Sequence, residues 1–99
     1  MKIEDWREEI DAIDQELLLL LNRRARMAQK IGALKRAAGL PIYDADREHS
    51  VLSQAQDANA GPLDEQAVAK LIRRIIRETR RAEASGSPQG QSAGTASQL

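Results

Sequence analysis

No cysteine and no phenylalanine occur among these 99 residues. Without cysteine there is no disulfide framework, no thiolate nucleophile and no sulfur-ligated metal. The one histidine, His49, cannot form a histidine cluster. Trp6 and Tyr43 are the only aromatics, which leaves the core to aliphatic side chains. An excess of either charge is also missing: 15 Lys and Arg stand against 15 Asp and Glu. A nucleic-acid or membrane-surface binder usually carries a basic excess, so neither partner is expected. The longest unbroken aliphatic run, Leu17 to Leu21, is far too short to span a bilayer. The residues ahead of it are rich in acids, with Glu4, Asp5, Glu8, Glu9, Asp11 and Asp14 among them, and do not resemble a basic leader. These absences predict one soluble, cytoplasmic domain. Ser/His/Asp arrangements, glycine-rich phosphate loops and metal-ligand spacings are absent too, so neither a metal nor a cofactor is expected.

What is present is helical periodicity. From Asp5 to Ala38 the apolar positions are Ile3 just ahead, then Trp6, Ile10, Ile13, Leu17, Leu20, Met27, Ile31, Leu34 and Ala38. Steps of three and four are the signature of one helix face. Gly39 suits a left-handed cap and Pro41 cannot continue the helix. A shorter helix is expected over about 46–59, capped by Asp44 or Asp46, with a weak face of Val51, Leu52 and Ala55. Asn59, Gly61 and Pro62 break it. A third, of medium length, is expected over about 64–84, with Val68, Leu71, Ile72, Ile75 and Ile76 on its stripe. From Ser85 the chain reads SGSPQGQSAGTASQL, a composition that cannot offset its ordering entropy. The expected organisation is therefore a helical domain over 1–84 and a disordered tail over 85–99, with no strand.

A helix of about 34 residues is about 50 Å long, whereas a compact domain of about 100 residues has a radius of gyration of about 13 Å. Two shorter helices cannot cover that seam. The simplest cover is a second copy in a two-fold dimer.

The informative residues break the apolar pattern. Steps of four and three from Leu20 land on Arg24, then Met27. A guanidinium on a buried seam is costly unless it is paired. Lys35, three turns further on, projects from nearly the same face. Arg24 alone is accounted for by an ion pair or by reaching out to solvent. The two cations together would need two matching acids, so a bound dianion competes as an explanation. Arginine suits that role because its planar fork meets a carboxylate with two hydrogen bonds. On the third helix Thr79 and Glu83 stand where the apolar stripe would continue; a solvated helix end accounts for Glu83 taken alone. Arg73, Arg74, Arg77, Arg80 and Arg81 spread around that helix, and a solvated face is expected for them, since no aromatic is interleaved for base stacking. Arg47 and Glu48 fall in the first turns of the second helix, where capping and dipole compensation are the ordinary roles. Arg7 lies about 25 Å along the axis from Arg24 and about 100° round it. Any part it plays beside Arg24 must come from another subunit.

Three stretches, WREEIDAIDQELLLLLNRRARMAQKIGALK, PIYDADREHSVL and LIRRIIRETRRAEA, resemble the all-helical class of chorismate mutases over about residues 4–84. The joint pattern carries the resemblance: Arg-x-x-Ile-x-x-x-Asp, a later Arg, a Gly-x-x-Lys ending, then Asp-x-Asp-Arg-Glu. It implies an all-α fold of three helices per chain in an intertwined homodimer, with two sites built from both chains. The implied activity is conversion of chorismate to prephenate in aromatic amino-acid biosynthesis. Arg7 matches the arginine donated across the dimer to a substrate carboxylate, and Arg24 the arginine that holds a carboxylate within its own chain. Lys35 matches the lysine at the ether oxygen and a carboxylate, and Glu83 the second ether contact, where many members have Gln. Asp44 and Glu48 match positions around the ring hydroxyl, with Arg47 beside them. Thr79 stands where Ser often contacts a carboxylate. The rearrangement is pericyclic and requires no nucleophile, metal or cofactor.

A glutamate donates a hydrogen bond only when protonated, so activity is expected to fall as pH rises through the titration of Glu83. An isochorismate pyruvate-lyase on the same scaffold ranks below the mutase, because the Asp44 to Glu48 start matches the mutase pattern better. A non-catalytic helical interaction module leaves Arg24 and Lys35 on one aliphatic face unexplained. Small members of the class sometimes associate with the first enzyme of the shikimate pathway, which makes such a partner an expectation from resemblance alone.

Overall fold

In a computed structural model of the chain, residues 1–85 are described and form three helices without a strand. Helix α1 spans Ile3–Ala38, α2 spans Ala45–Ala58 and α3 spans Glu65–Ser85. The expected tail thus lies outside the described residues, except for Ser85, which ends α3.

The helix ends follow local chemistry. The Asp5 carboxylate accepts a hydrogen bond from the Lys2 backbone N–H at 2.8 Å, closing the start of α1. At its other end Gly39 adopts φ 70°, and the Leu40 N–H reaches back to the Lys35 carbonyl at 2.8 Å. That is the left-handed glycine cap. Asp44, rather than Asp46, caps α2, its Oδ1 accepting from the Arg47 N–H at 3.0 Å. Asp64 caps α3 by accepting from the Ala67 N–H at 2.8 Å. It therefore sits one residue before the helix it was expected to begin. Between α2 and α3, Asn59 braces the turn with both ends of its amide, to the Leu63 carbonyl and the Gly61 N–H.

Helix α3 packs on both other helices, while the α1 and α2 backbones do not approach one another closely. The molecule extends 52 × 32 × 15 Å with a radius of gyration of 16.7 Å, well above the roughly 13 Å of a compact domain of about 100 residues. Among the described residues no large side chain is fully buried, and Ala69 is the one buried hydrophobic residue. The N-terminal half of α1 carries its stripe into open space: Trp6, Ile10, Ile13, Leu17 and Leu20 are all at least half exposed. No helix of the described residues is long and apolar enough to cross a membrane.

Where α1 and α3 cross, they approach closely at Gly32, which is buried. A Cβ placed there would lie 2.3 Å from the Glu83 carbonyl oxygen. The absence of a side chain at position 32 lets the end of α3, and Glu83 with it, lie against α1.

Candidate active site

An open cleft of about 240 Å³ lies between the C-terminal half of α1, the start of α2 and the C-terminal half of α3. Its floor is apolar, with Met27, Ala28 and Ile31 from α1, Val51 from α2 and Ile76 from α3. Seven of the eight residues singled out in the sequence line it: Arg24, Lys35, Asp44, Arg47, Glu48, Thr79 and Glu83. Arg7 does not, since it lies toward the far end of α1.

The cleft side chains hold one another in place. Arg24 donates through Nη1 to the Thr79 hydroxyl oxygen. That hydroxyl donates in turn to the Ile75 carbonyl at 2.8 Å, so buried Thr79 has both functions engaged. Lys35 donates to the Ile42 carbonyl at 2.8 Å. Its Nζ also lies 2.8 Å from Glu83 Oε2, with both side chains largely buried. Oε2 is buried and has no hydrogen-bond partner among the described residues. The contact with Lys35 is an ion pair, and the Ile42 carbonyl takes one of the three Lys35 donors. Behind it, Arg36 donates to the Glu83 backbone carbonyl at 3.0 Å.

One expectation is corrected. The sequence puts Arg80 on a solvated basic face, but the side chain points into the cleft wall. Its Nη1 donates to Glu48 Oε2 at 2.9 Å, and its Cζ lies 4.8 Å from the centre of the Tyr43 ring. Both partners come from outside α3. The spacing carried a usable signal, because Arg80 lies one turn from both Ile76 and Glu83 and so shares their face. The other four arginines of the cluster are exposed, as expected. Arg74 and Arg81 pair with Glu78 on that outer surface.

Charge pairing in the cleft is incomplete. Lys35 faces Glu83, Arg80 faces Glu48, and Asp44 caps α2. Among the described residues neither Arg24 nor Arg47 pairs with a carboxylate. Arg47 is exposed, whereas Arg24 is half-buried beside an apolar floor and is suited to an anionic group of a small ligand.

Comparison with known proteins agrees with this geometry. The family model for chorismate mutase type II matches residues 6–84. A chorismate mutase from Thermus thermophilus superposes with a TM-score of 0.83 at 34% identity, covering 86% of this chain and 97% of that one. The chain is 46% identical over 72 residues, 73% of its length, to a bifunctional chorismate mutase/prephenate dehydratase of Neisseria gonorrhoeae. It is 37% identical over 79 residues, 76% of its length, to the protein of the same name from Aquifex aeolicus. It spans only 19% and 22% of the length of those two relatives. The helical architecture, the cleft and the match across residues 6–84 lead to one assignment: the chain belongs to the type II chorismate mutase family.

Proposed function

We propose that this chain is an isomerase that converts chorismate to prephenate, and that it does so as a homodimer. The observation that carries this reading is the pair of cations Arg24 and Lys35 in one apolar cleft, with Arg24 lacking a carboxylate partner among the described residues. Chorismate carries two carboxylates and an enolpyruvyl ether. Its rearrangement breaks the ether C–O bond as a C–C bond forms, with no proton transferred. Catalysis then has two tasks: to hold the substrate in its compact reactive form, and to stabilise charge growing on the ether oxygen.

The cleft contains groups for both tasks. Arg24, held by Thr79, is placed to take one carboxylate. Lys35, with a donor direction still open, is placed to meet the ether oxygen together with Glu83. Asp44 and Glu48, with Arg47 beside them, face the ring hydroxyl from the start of α2. The second carboxylate is assigned to Arg7 of the partner subunit. The exposed stripe on the first half of α1 supports the dimer, since it has no cover within its own chain. Two relatives carry names that join chorismate mutase to a second enzyme, which supports association with another enzyme of the pathway. A cytoplasmic location belongs to the same reading.

The test is loss of chorismate by ultraviolet absorbance with the product identified. Prephenate is expected, and Arg24→Ala and Lys35→Ala are each expected to lower kcat/KM about 10²–10³-fold, the usual effect of removing one prepositioned donor. Turnover of isochorismate alone would make the protein a pyruvate-lyase. Failure with both substrates would leave a helical interaction module.

A further inference from the structure

The residue the mutase chemistry leaves unused is Arg80. We propose that Arg80 is a positioning residue for the cleft, clamping Glu48 and Tyr43 so that α2 and the connection before it present a fixed, charge-balanced wall to the substrate. The proposal rests on the mutase reading for its ligand, but the clamp itself rests on geometry. Arg80 stands between Thr79 and Glu83 on α3, the helix that touches both α1 and α2. Its Cζ lies over the Tyr43 ring, 4.8 Å from the centroid, while Nη1 donates to Glu48 Oε2 at 2.9 Å. Tyr43 follows Ile42, whose carbonyl accepts from Lys35, and precedes the α2 cap Asp44. Arg80 therefore ties Tyr43, the residue after the Lys35 partner Ile42, to Glu48 in the first turn of α2.

Two consequences follow for a dianionic ligand. First, Arg80 offsets the charge of Glu48, which would otherwise repel the substrate from the cleft wall. Second, it occupies Oε2, so Oε1 is the oxygen left to meet a ring hydroxyl. Lysine could supply the charge, but as a compact ammonium it could not sit over Tyr43 and make the directed bond to Glu48 in the same way. Both effects act on bound substrate and transition state alike, so they belong in KM more than in kcat.

The experiment compares wild type, Arg80→Ala, Arg80→Lys and the double variant Arg80→Ala/Glu48→Gln on chorismate, with hydrogen exchange of each full chain measured by mass spectrometry. Arg80→Ala is expected to raise KM about tenfold while kcat changes less than about threefold. Arg80→Lys is expected to recover only part of that loss, because it restores the charge but not the joint hold on Tyr43 and Glu48. Adding Glu48→Gln to Arg80→Ala is expected to recover part of it, because the uncompensated charge is gone. In Arg80→Ala, exchange is expected to rise across residues 40–48 and stay unchanged in the first half of α1. A wild-type KM in Arg80→Ala would overturn the proposal. So would unchanged exchange at 40–48, even if no variant turned over chorismate. A wild type inactive on chorismate whose exchange at 40–48 still responds to Arg80→Ala would refute the mutase reading and leave the clamp standing.

Discussion

Gly32→Ala adds one methyl group at the point where α1 and α3 come closest. The new Cβ would meet the Glu83 carbonyl oxygen at 2.3 Å and the Glu83 Cγ and carbonyl carbon at 3.0 and 3.1 Å. An ordinary carbon–oxygen contact is about 3.3–3.6 Å, so the end of α3 must move away by about 1 Å. The obstacle is helix backbone, which cannot swing aside like the tip of a side chain. Overpacking of this kind costs about 1–3 kcal/mol. The alanine returns up to about 1 kcal/mol in helix propensity, so the net loss of stability is small, about 0–2 kcal/mol on those figures. The effect on function is larger. Glu83 moves with the backbone, its ion pair with Lys35 is stretched, and a misplacement of about 1 Å in a preorganised site can cost about 10²-fold in rate.

The expected outcome is a folded, fully helical protein with kcat/KM for chorismate reduced about 10–100-fold. Circular dichroism and thermal melting report the first, and the chorismate assay the second. Gly39→Ala is the control. Position 39 has open space around it but a φ of 70°, so alanine there costs about 1 kcal/mol in backbone strain and leaves the α1–α3 crossing alone. If Gly32→Ala kept activity within twofold of wild type while Gly39→Ala lost more, the steric argument would be refuted.

Three other outcomes follow from the same geometry. Leu20→Asp is expected to break the dimer: burying two leucines is worth about 3–6 kcal/mol, so the dissociation constant should rise about 10²–10⁴-fold, and an unchanged sedimentation profile at micromolar concentration would contradict it. Arg7→Ala and Arg24→Ala, each nearly inactive alone, should regain about a quarter of wild-type activity when unfolded and refolded together, because half the dimers are then mixed and each has one intact site; no recovery would remove Arg7 from the partner's site. Glu83→Gln keeps a polar group able to donate at the place where Glu83 faces Lys35, so it should retain activity while Glu83→Ala loses about 10²-fold in kcat/KM; a Glu83→Ala variant as active as wild type would show that Glu83 takes no part in the reaction.

Which of these features could be read in the sequence depends on the range of the interactions that encode them. Helix α1 is declared by apolar positions in steps of three and four, and its end by Gly39 and Pro41; both signals are local. Arg24 and Lys35 were visible because a charge on an apolar seam violates a pattern that needs no partner to be recognised. The start of α2 was ambiguous because Asp44 and Asp46 are equally good caps, and only the turn geometry chose Asp44. Arg80 was misread because its partners Glu48 and Tyr43 lie in other elements. Five arginines around one helix look alike until α2 is packed against it. Gly32 gave only a hint: a glycine inside a long helix costs about 1 kcal/mol relative to alanine, which signals a compensating contact without saying with what.

On the homodimer reading, stability and catalysis draw on the same surface, the exposed apolar stripe of α1. With no large side chain fully buried among the described residues, the single chain has little apolar burial to oppose the entropy of ordering its helices, at about 1–2 kcal/mol per residue. The stripe from Trp6 to Leu20 is the apolar area still available, and it runs along the half of α1 that carries Arg7 and leads into the seam bearing Arg24. Covering that stripe with a second copy would supply the core and, by symmetry, bring each Arg7 toward the other chain's cleft. Such a protein has no need of a large preformed core around its site. In such a dimer, burial along the helix half remote from the cleft would offset the cost of leaving Arg24 without a carboxylate partner.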